Sequence, residues 1–306
     1  MLVLRFLKKY WLKIFCIAVI LLISCYVCFV GIKKARNYEI FKGVEKEQTI
    51  YTIWHVETFE GGGKARIDYL KNIARNMEKK DETALFMIKL VDPRNLENAL
   101  KNSQPDIISF GFGVGKIVLP YLTNFESSFD VRDELISSGS FNKKLFAVPY
   151  IMSGYAMFKH NPNADEFHVG TTNYTAPENI YNNLNLQPIE NESQYDAYKD
   201  FVYAKNVSLL GTGRDLFRIN NLNNIGRTNA MITPIDTYTD LIQYISVTNS
   251  KKVTQKFVEL ALSNTFQNSL VDYSLFSSKY NKLYNNGIYN DMEDAIYSCS
   301  IPNVFN

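Results

Sequence analysis

Ile14 to Ile32 reads IFCIAVILLISCYVCFVGI, nineteen residues without a charge. A helix of that length matches the hydrocarbon core of a bilayer. Arg5, Lys8, Lys9 and Lys13 precede the run and Lys33, Lys34 and Arg36 follow it. Tyr10, Trp11 and Tyr38 lie near its ends, where aromatic rings settle at membrane interfaces. Four bases against three say little about orientation, and the short N-terminal tail makes an inside N-terminus the simpler choice. Residues 1–36 therefore read as a membrane anchor or signal segment, and 37–47 as a polar spacer. Leu22-Ile23-Ser24-Cys25 also fits a bacterial lipobox, with Cys25 as the lipidated residue. The apolar continuation from Tyr26 to Ile32 argues instead for an uncleaved anchor. Either reading puts the remaining residues outside the cytoplasm, tethered to the membrane.

The formal charge of +2 conceals an asymmetry. Residues 1–36 hold seven Lys/Arg and no acid, which leaves 26 bases against 31 acids in the rest. A mildly acidic globular part is a poor nucleic-acid binder, because neutralising phosphates needs a basic surface. Three of the four cysteines, Cys16, Cys25 and Cys28, lie in the apolar run, so the globular part with Cys299 has no internal disulfide. His55, His160 and His168 are scattered, and no Cys/His cluster has zinc-ligand spacing. No cofactor or metal is implied.

Thr49 to Trp54 is rich in β-formers and leads into the loop Glu57 to Gly63. Ile67, Leu70, Ala74 and Met77 then make one apolar stripe at helical spacing. Leu85 to Ile88 and Asp106 to Phe110 are further strands, with Pro93 opening a short helix between them. Strand–helix alternation implies a parallel sheet, with binding loops at the carboxyl ends of its strands. Leu145 to His160 reads as extended chain. Residues 161–194 are rich in Asn, Pro and Thr, with one short helix near 178–184. Val207 to Leu210 is a strand candidate, and helices are expected from about Lys251 and about Asp291.

The motifs mostly exclude chemistry. Gly111-Phe112-Gly113-Val114-Gly115-Lys116 lacks P-loop spacing, and Pro120 interrupts the helix that would cradle a phosphate. Ser153-Gly154 is not a nucleophile elbow, and neither His160 nor His168 is tied to Ser153. Glu57, Glu60 and Asp68 surround a glycine-rich turn, but a sequence cannot give the carboxylate separation that glycoside hydrolysis requires. Gly211-Thr212-Gly213-Arg214-Asp215 offers backbone N–H groups and a guanidinium at a helix start, which suits hydroxyls, carboxylates or phosphates. A capped helix with an Arg–Asp surface pair is the equal alternative. Trp54, Phe59, Phe110, Phe112, Tyr150, Tyr155 and Tyr238 fall at strand ends or in loops, where rings can stack on sugars or simply fill a core.

Several segments together resemble the extracellular solute-binding proteins of bacterial ABC importers, in the family-one, sugar-binding branch. They are the opening Tyr51 to Gly62, Pro105 to Gly111, Ala147-Val148-Pro149-Tyr150, Leu209 to Leu216, and Phe257 to Leu262 with Gln267 and Leu270. The resemblance covers about 49–306 in order, although 158–209 is shorter than the family pattern. It implies a two-lobed α/β fold of the periplasmic-binding-protein type, with a hinge and an interlobe cleft, preceded by the transmembrane helix. Lobe one would be 48–150 plus 235–268, and lobe two 151–234 plus 269–306. The ligand contacts implied are Trp54, His55, Glu57, Phe59, Glu60, Phe110, Gly111, Tyr150, Ser153, Tyr155, Gly211, Thr212, Arg214, Asp215, Tyr238 and Asp240.

The expected function is capture of a small polar solute, a carbohydrate, for delivery to ABC permease subunits at the membrane, with no bond made or broken. A ligand sensor presenting the same fold to a membrane kinase is the alternative. A glycosidase ranks last, since no nucleophile–base set can be named.

Overall fold

The computed structural model describes residues 11, 19–31, 47–59, 65–164, 166–170, 172–184, 186–191, 193–204, 207–279, 282–285 and 287–306. The chain divides into two units, Met1–Glu47 and Gln48–Asn306. In the first, residues 19–31 are helical, and Ile20, Leu21, Leu22, Ile23 and Phe29 are exposed. Residues 14–18 and 32 of the expected anchor lie outside the described residues. Among the described residues, no helix is long and apolar enough to cross a membrane.

The second unit is built on two sheets. β1 (Thr49–Val56), β2 (Ala84–Val91) and β3 (Ile107–Phe110) pair in parallel. β1 is β-branched and aromatic, and its last four residues are buried on both faces, as a central strand requires. α1 (Ala65–Lys80) buries Leu70, Ala74 and Met77 of the expected stripe together with Tyr69 and Ile73, while Ile67 is half-buried. α2 (Leu96–Asn102) follows the short turn opened by Pro93, whose start is capped by Asp92 accepting from Arg94 N. A two-stranded hairpin, β4 (Ser140–Phe141) and β5 (Lys144–Leu145), precedes β6 (Val148–Met152).

After Met152 the chain crosses to the second sheet, ordered β11-β7-β10-β8-β9. Its strands are β7 (Tyr155–Lys159), β8 (Glu166–Gly170), β9 (Ile189–Asn191), β10 (Val207–Thr212) and β11 (Met231–Pro234). α3 (Gln194–Tyr203) and α4 (Gly213–Asn224) belong to this lobe. β12 (Ile242–Val247) and β13 (Phe276–Ser277) return to the first sheet, ordered β13-β6-β12-β3-β1-β2. α5 (Lys252–Ala261) packs beside α1, and α6 (Gly287–Ser298) packs on β11.

Two expectations need correction. The first sheet is mixed, because β12 runs antiparallel to both β3 and β6. The cause is connectivity: β6 leaves for the second lobe at one end of the sheet, and β12 re-enters at that same end, so it must run the opposite way. Nor does the chain after residue 268 form one block of the second lobe. β13 pairs with β6 in the first sheet, α6 packs on β11 of the second, and Val304 N donates to Ser138 O back in the first.

Three crossing segments therefore lie side by side. Ser153 N donates to Leu241 O at 2.7 Å, and Thr239 Oγ1 donates to Ser153 O at 2.8 Å. Thr239 N donates to Ser300 O and Ser300 N to Thr237 O, both at 3.1 Å. The first sheet separates two apolar clusters. Ile53, Tyr69, Ile73, Phe257 and Val258 fill one face. Trp54, Val56, Leu100, Phe110 and Phe305 belong to the cluster on the other.

Candidate functional site

A cavity of about 350 Å³ opens where the end of β1 faces the second lobe. Glu57, Thr58 and Phe59 come from the first lobe. Thr172 and Tyr174 follow β8, Ser193, Gln194 and Tyr195 begin α3, and Thr212, Arg214, Asp215 and Arg218 begin α4. The lobes also meet beside it. Gly113 has a left-handed φ of 82°, and Tyr174 packs against it so closely that a Cβ there would lie 2.7 Å from Tyr174 Cα.

Glu57 is the anionic centre of the first-lobe wall. Its carboxylate lies 3.7 Å from Arg66 Nη2 and 3.8 Å from His55 Nε2, and is only 14% exposed. Burial pushes the carboxyl up, but His55, Arg66 and Arg214 outweigh it and hold Glu57 below its ordinary range. Arg66 is itself buried, donates to Phe59 O at 2.6 Å, and stacks on the Phe59 ring at 4.5 Å. Thr58 Oγ1 and Glu57 Oε1 are buried and make no hydrogen bond among the described residues. Glu57 Oε1 is the oxygen turned toward His55 and Arg66, and Thr58 Oγ1 abuts Gly111.

A polar chain runs from Glu57 into the core. His55 Nδ1 lies 2.9 Å from Ser109 Oγ, which lies 2.8 Å from Tyr150 OH and accepts from Gln243 Nε2 at 2.9 Å. Either partner of the Ser109–Tyr150 bond can donate, and the direction of the His55–Ser109 bond follows the imidazole tautomer. His55 Nε2 faces the Glu57 carboxylate. Burial drives the His55 imidazolium below its ordinary range, against the pull of Glu57 and with a smaller push from Arg66.

The start of α4 forms the opposite wall. Asp215 Oδ2 accepts from Thr212 N at 3.0 Å, and Asp215 Oδ1 lies 3.5 Å from Arg218 Nη1. Arg218 in turn lies over the Tyr198 ring at 5.1 Å. Asp215 is buried and caps the helix, while Arg214 lines the cavity close enough to act on Glu57. The capped helix of the second reading is present, although its ion pair joins buried Asp215 to Arg218.

Of the residues expected at the site, Glu57, Phe59, Thr212, Arg214 and Asp215 line the cavity. Glu60 lies outside the described residues. The others take structural positions. Trp54, Phe110 and Tyr150 are core residues of the first sheet, and His55 lies fully buried behind Glu57. Gly111 approaches Thr58, Phe59 and Ile242 O too closely for any side chain. Gly211 and Gly213 were expected to let a ligand reach the backbone. Instead, Asp215 and Phe158 crowd Gly211, and Ser153 and Phe276 crowd Gly213.

Ser153, Tyr155, Tyr238 and Asp240 belong to the crossing region. Asp240 Oδ1 accepts from Tyr155 OH at 2.8 Å, and Oδ2 accepts from Ala176 N at 2.6 Å and Tyr238 OH at 3.4 Å. Burial raises the Asp240 carboxyl, and these donors only partly offset it.

Sequence reasoning missed Thr58, Thr172, Tyr174, Ser193, Gln194, Tyr195 and Arg218. Arg218 had a signal, since it stands four residues after Arg214 on one helix face. No group of three or more His, Cys, Asp or Glu that could hold a metal occurs among the described residues.

No family model matches the sequence, and no curated protein sequence matches it. Solved structures do match in fold. The GacH receptor of Streptomyces glaucescens, described unliganded and with acarbose, aligns with a TM-score of 0.61 at 13% identity, over 83% of this chain and 88% of the other. A cyclo/maltodextrin-binding protein complexed with maltotetraose aligns at 0.58 and 11%, over 85% and 88%. An extracellular solute-binding protein from Staphylococcus aureus in complex with maltose aligns at 0.56 and 11%, over 84% and 88%. This chain has the two-lobed solute-binding-protein fold.

Proposed function

We propose that this protein captures a small neutral carbohydrate in the cleft between its lobes, outside a membrane to which its N-terminal run anchors it, and delivers it to an ABC-type permease. The observation that carries the reading is the composition of the cavity. Glu57 and Asp215 balance Arg214 and Arg218 in formal charge, so the wall is polar without favouring an ion of either sign. Glu57 brings a carboxylate to the wall, Arg214 presents a donor fork, and Tyr174 and Tyr195 offer rings for the faces of a sugar. A volume of about 350 Å³ lies near the lower end of small-molecule sites and favours a mono- or disaccharide over a long oligomer.

The sugars named for the structural neighbours support the same class of ligand. The reading is of binding without catalysis. Asp215, the second carboxylate of the cavity, is committed to its helix cap and to Arg218, so it is a poor partner for Glu57 in acid–base chemistry.

The test is a thermal-shift panel of mono- and disaccharides, with amino acids, polyamines and inorganic anions as competing classes. A ligand at a hundredfold excess over its Kd adds about 2.7 kcal/mol, or roughly 5–11 °C in a unit of this size. A shift confined to saccharides supports the proposal. A shift confined to another class removes the carbohydrate assignment.

A further inference from the structure

The glycine-rich segment 111–115 leaves β3 at its carboxyl end. Two of its glycines are explained within the first lobe, Gly111 against Thr58 and Phe59, and Gly115 against Val304 O. Gly113 faces the second lobe instead. A Cβ there would lie 2.7 Å from Tyr174 Cα, 2.8 Å from Cδ1 and 2.9 Å from Cβ. The left-handed φ of 82° already favours glycine, and the seated tyrosine excludes any side chain. Gly113 and Tyr174 are thus a seat and its occupant, one on each lobe.

Tyr174 stands in the turn 172–176, which follows β8 and lines the cavity through Thr172 and Tyr174. The turn fixes its own shape. Thr172 Oγ1 accepts from Tyr174 N and Thr175 N, both at 3.2 Å, and lies 2.9 Å from Thr175 Oγ1. Its far end is fastened to the returning crossing segment, where buried Asp240 accepts from Ala176 N at 2.6 Å and from Tyr155 OH at 2.8 Å. The two attachments differ in kind. Lifting Tyr174 from Gly113 separates packed carbon surfaces, and the hydrogen bond of Tyr174 N stays inside the turn. Pulling Ala176 from Asp240 would leave a buried carboxylate short of a donor, which is costly. When the lobes part, the contact that yields is therefore the one at Gly113, and the turn stays with the crossing segment.

We propose that 172–176 is a strap across one edge of the solute cleft. Tyr174 seated on Gly113 holds the lobes together before solute enters, and Asp240 is the positioning residue that keeps the strap aligned with its seat. The strap's role in solute entry rests on the capture reading above, whereas the seat and its anchor rest on the contacts alone. The strap has to lift for the cleft to open, so it slows entry and exit of solute alike.

The test reads the lobes directly, without ligand. Spin labels are placed on exposed Asn98 of α2 and exposed Asn221 of α4 in the full chain, through ketone-bearing side chains that leave the native cysteines alone. Pulsed electron resonance gives the ratio of long to short interlobe distances. Gly113→Ala is expected to raise that ratio roughly five- to a hundredfold, the range by which an overpacked contact disfavours the form that contains it. Tyr174→Ala leaves the Gly113 backbone untouched, should raise the ratio in the same direction, and serves if Gly113→Ala does not fold. Asp240→Asn should raise it too, and should add nothing in the Gly113→Ala background, because both act through one contact. Asn173→Ala, at an exposed position of the same turn, should leave it unchanged. An unchanged ratio in Gly113→Ala or Tyr174→Ala overturns the strap, and so does an equal rise in Asn173→Ala. An additive effect of Asp240→Asn overturns its positioning role. With a saccharide that binds, stopped-flow association should be faster in Gly113→Ala than in wild type, and equal rates overturn the role in entry. If no saccharide binds, the capture reading fails while the distances still decide the strap.

Discussion

Asp215→Ala tests the structural half of the α4 start. Asp215 Oδ2 holds Thr212 N at 3.0 Å in a buried site, and its other oxygen faces Arg218 at 3.5 Å. Asp215 stands at N3 of a capping box whose N-cap is Thr212, and truncation leaves that buried backbone donor unpaired, at about 1–3 kcal/mol. The partly exposed Arg218 pair adds little, since solvent screens it. A loss of about 1–3 kcal/mol corresponds to a fall of roughly 2–12 °C in Tm for a unit of this size. Asp215→Asn should fall by less, because the amide oxygen can still accept from Thr212 N. Calorimetric melting of the two variants and wild type, without ligand, is the assay. An unchanged Tm for Asp215→Ala, or an equal fall for both variants, would refute the capping argument and return Asp215 to the candidate ligand contacts.

Further outcomes follow from the same geometry. Gly111→Ala drives a Cβ into Thr58 Oγ1 and should cost about 1–3 kcal/mol by urea unfolding, with a loss of saccharide affinity because Thr58 moves. Glu57 is held below its ordinary pKa in the folded state, so its contribution to stability is present above the unfolded value near 4.5 and is lost as pH falls through the folded value. Glu57→Gln should therefore flatten the acid limb of a Tm-against-pH curve, and an unchanged acid limb would count against the His55–Glu57–Arg66 cluster. Asp240→Asn can serve only one of Tyr155 OH and Ala176 N as acceptor, so chemical denaturation should show a loss of about 1–3 kcal/mol.

Much of the fold was legible because local pattern and tertiary need agree. The stripe of Ile67, Leu70, Ala74 and Met77 became α1, and the β-branched run from Thr49 became a central strand. β8 and β9 were not legible. Their residues lie in the Asn-, Pro- and Thr-rich stretch 161–194, where turn chemistry masks short strands whose apolar residues are Phe167, Val169 and Ile189. The mixed sense of the first sheet was hidden for another reason, because only the route of the crossing segments decides which end of the sheet β12 enters.

The site was half legible. Glu57 and Arg214 stand at the end of a strand and the start of a helix, positions that sequence can mark. Tyr150, Tyr155 and Asp240 were expected at the site from the family resemblance, yet each finds its partner inside the protein, at Ser109 for Tyr150 and within the crossing region for the other two. Tyr174 and Tyr195 reach the cleft from loops whose course depends on the second sheet, and no local signal distinguishes them from other exposed tyrosines.

The central claim is that the cleft binds the solute through Glu57 and Arg214. Isothermal calorimetry of the saccharide that gives the largest thermal shift, titrated into wild type and Arg214→Lys, tests it most directly. A lysine cannot reproduce the forked donor of a guanidinium, and a lost charge-assisted hydrogen bond costs about 1.5–3 kcal/mol, or roughly ten- to over a hundredfold in Kd. The account predicts that weakening, with the unliganded Tm held within about 2 °C of wild type. Equal affinity in the two proteins would contradict it, and so would a loss of affinity matched by an equal loss of fold stability.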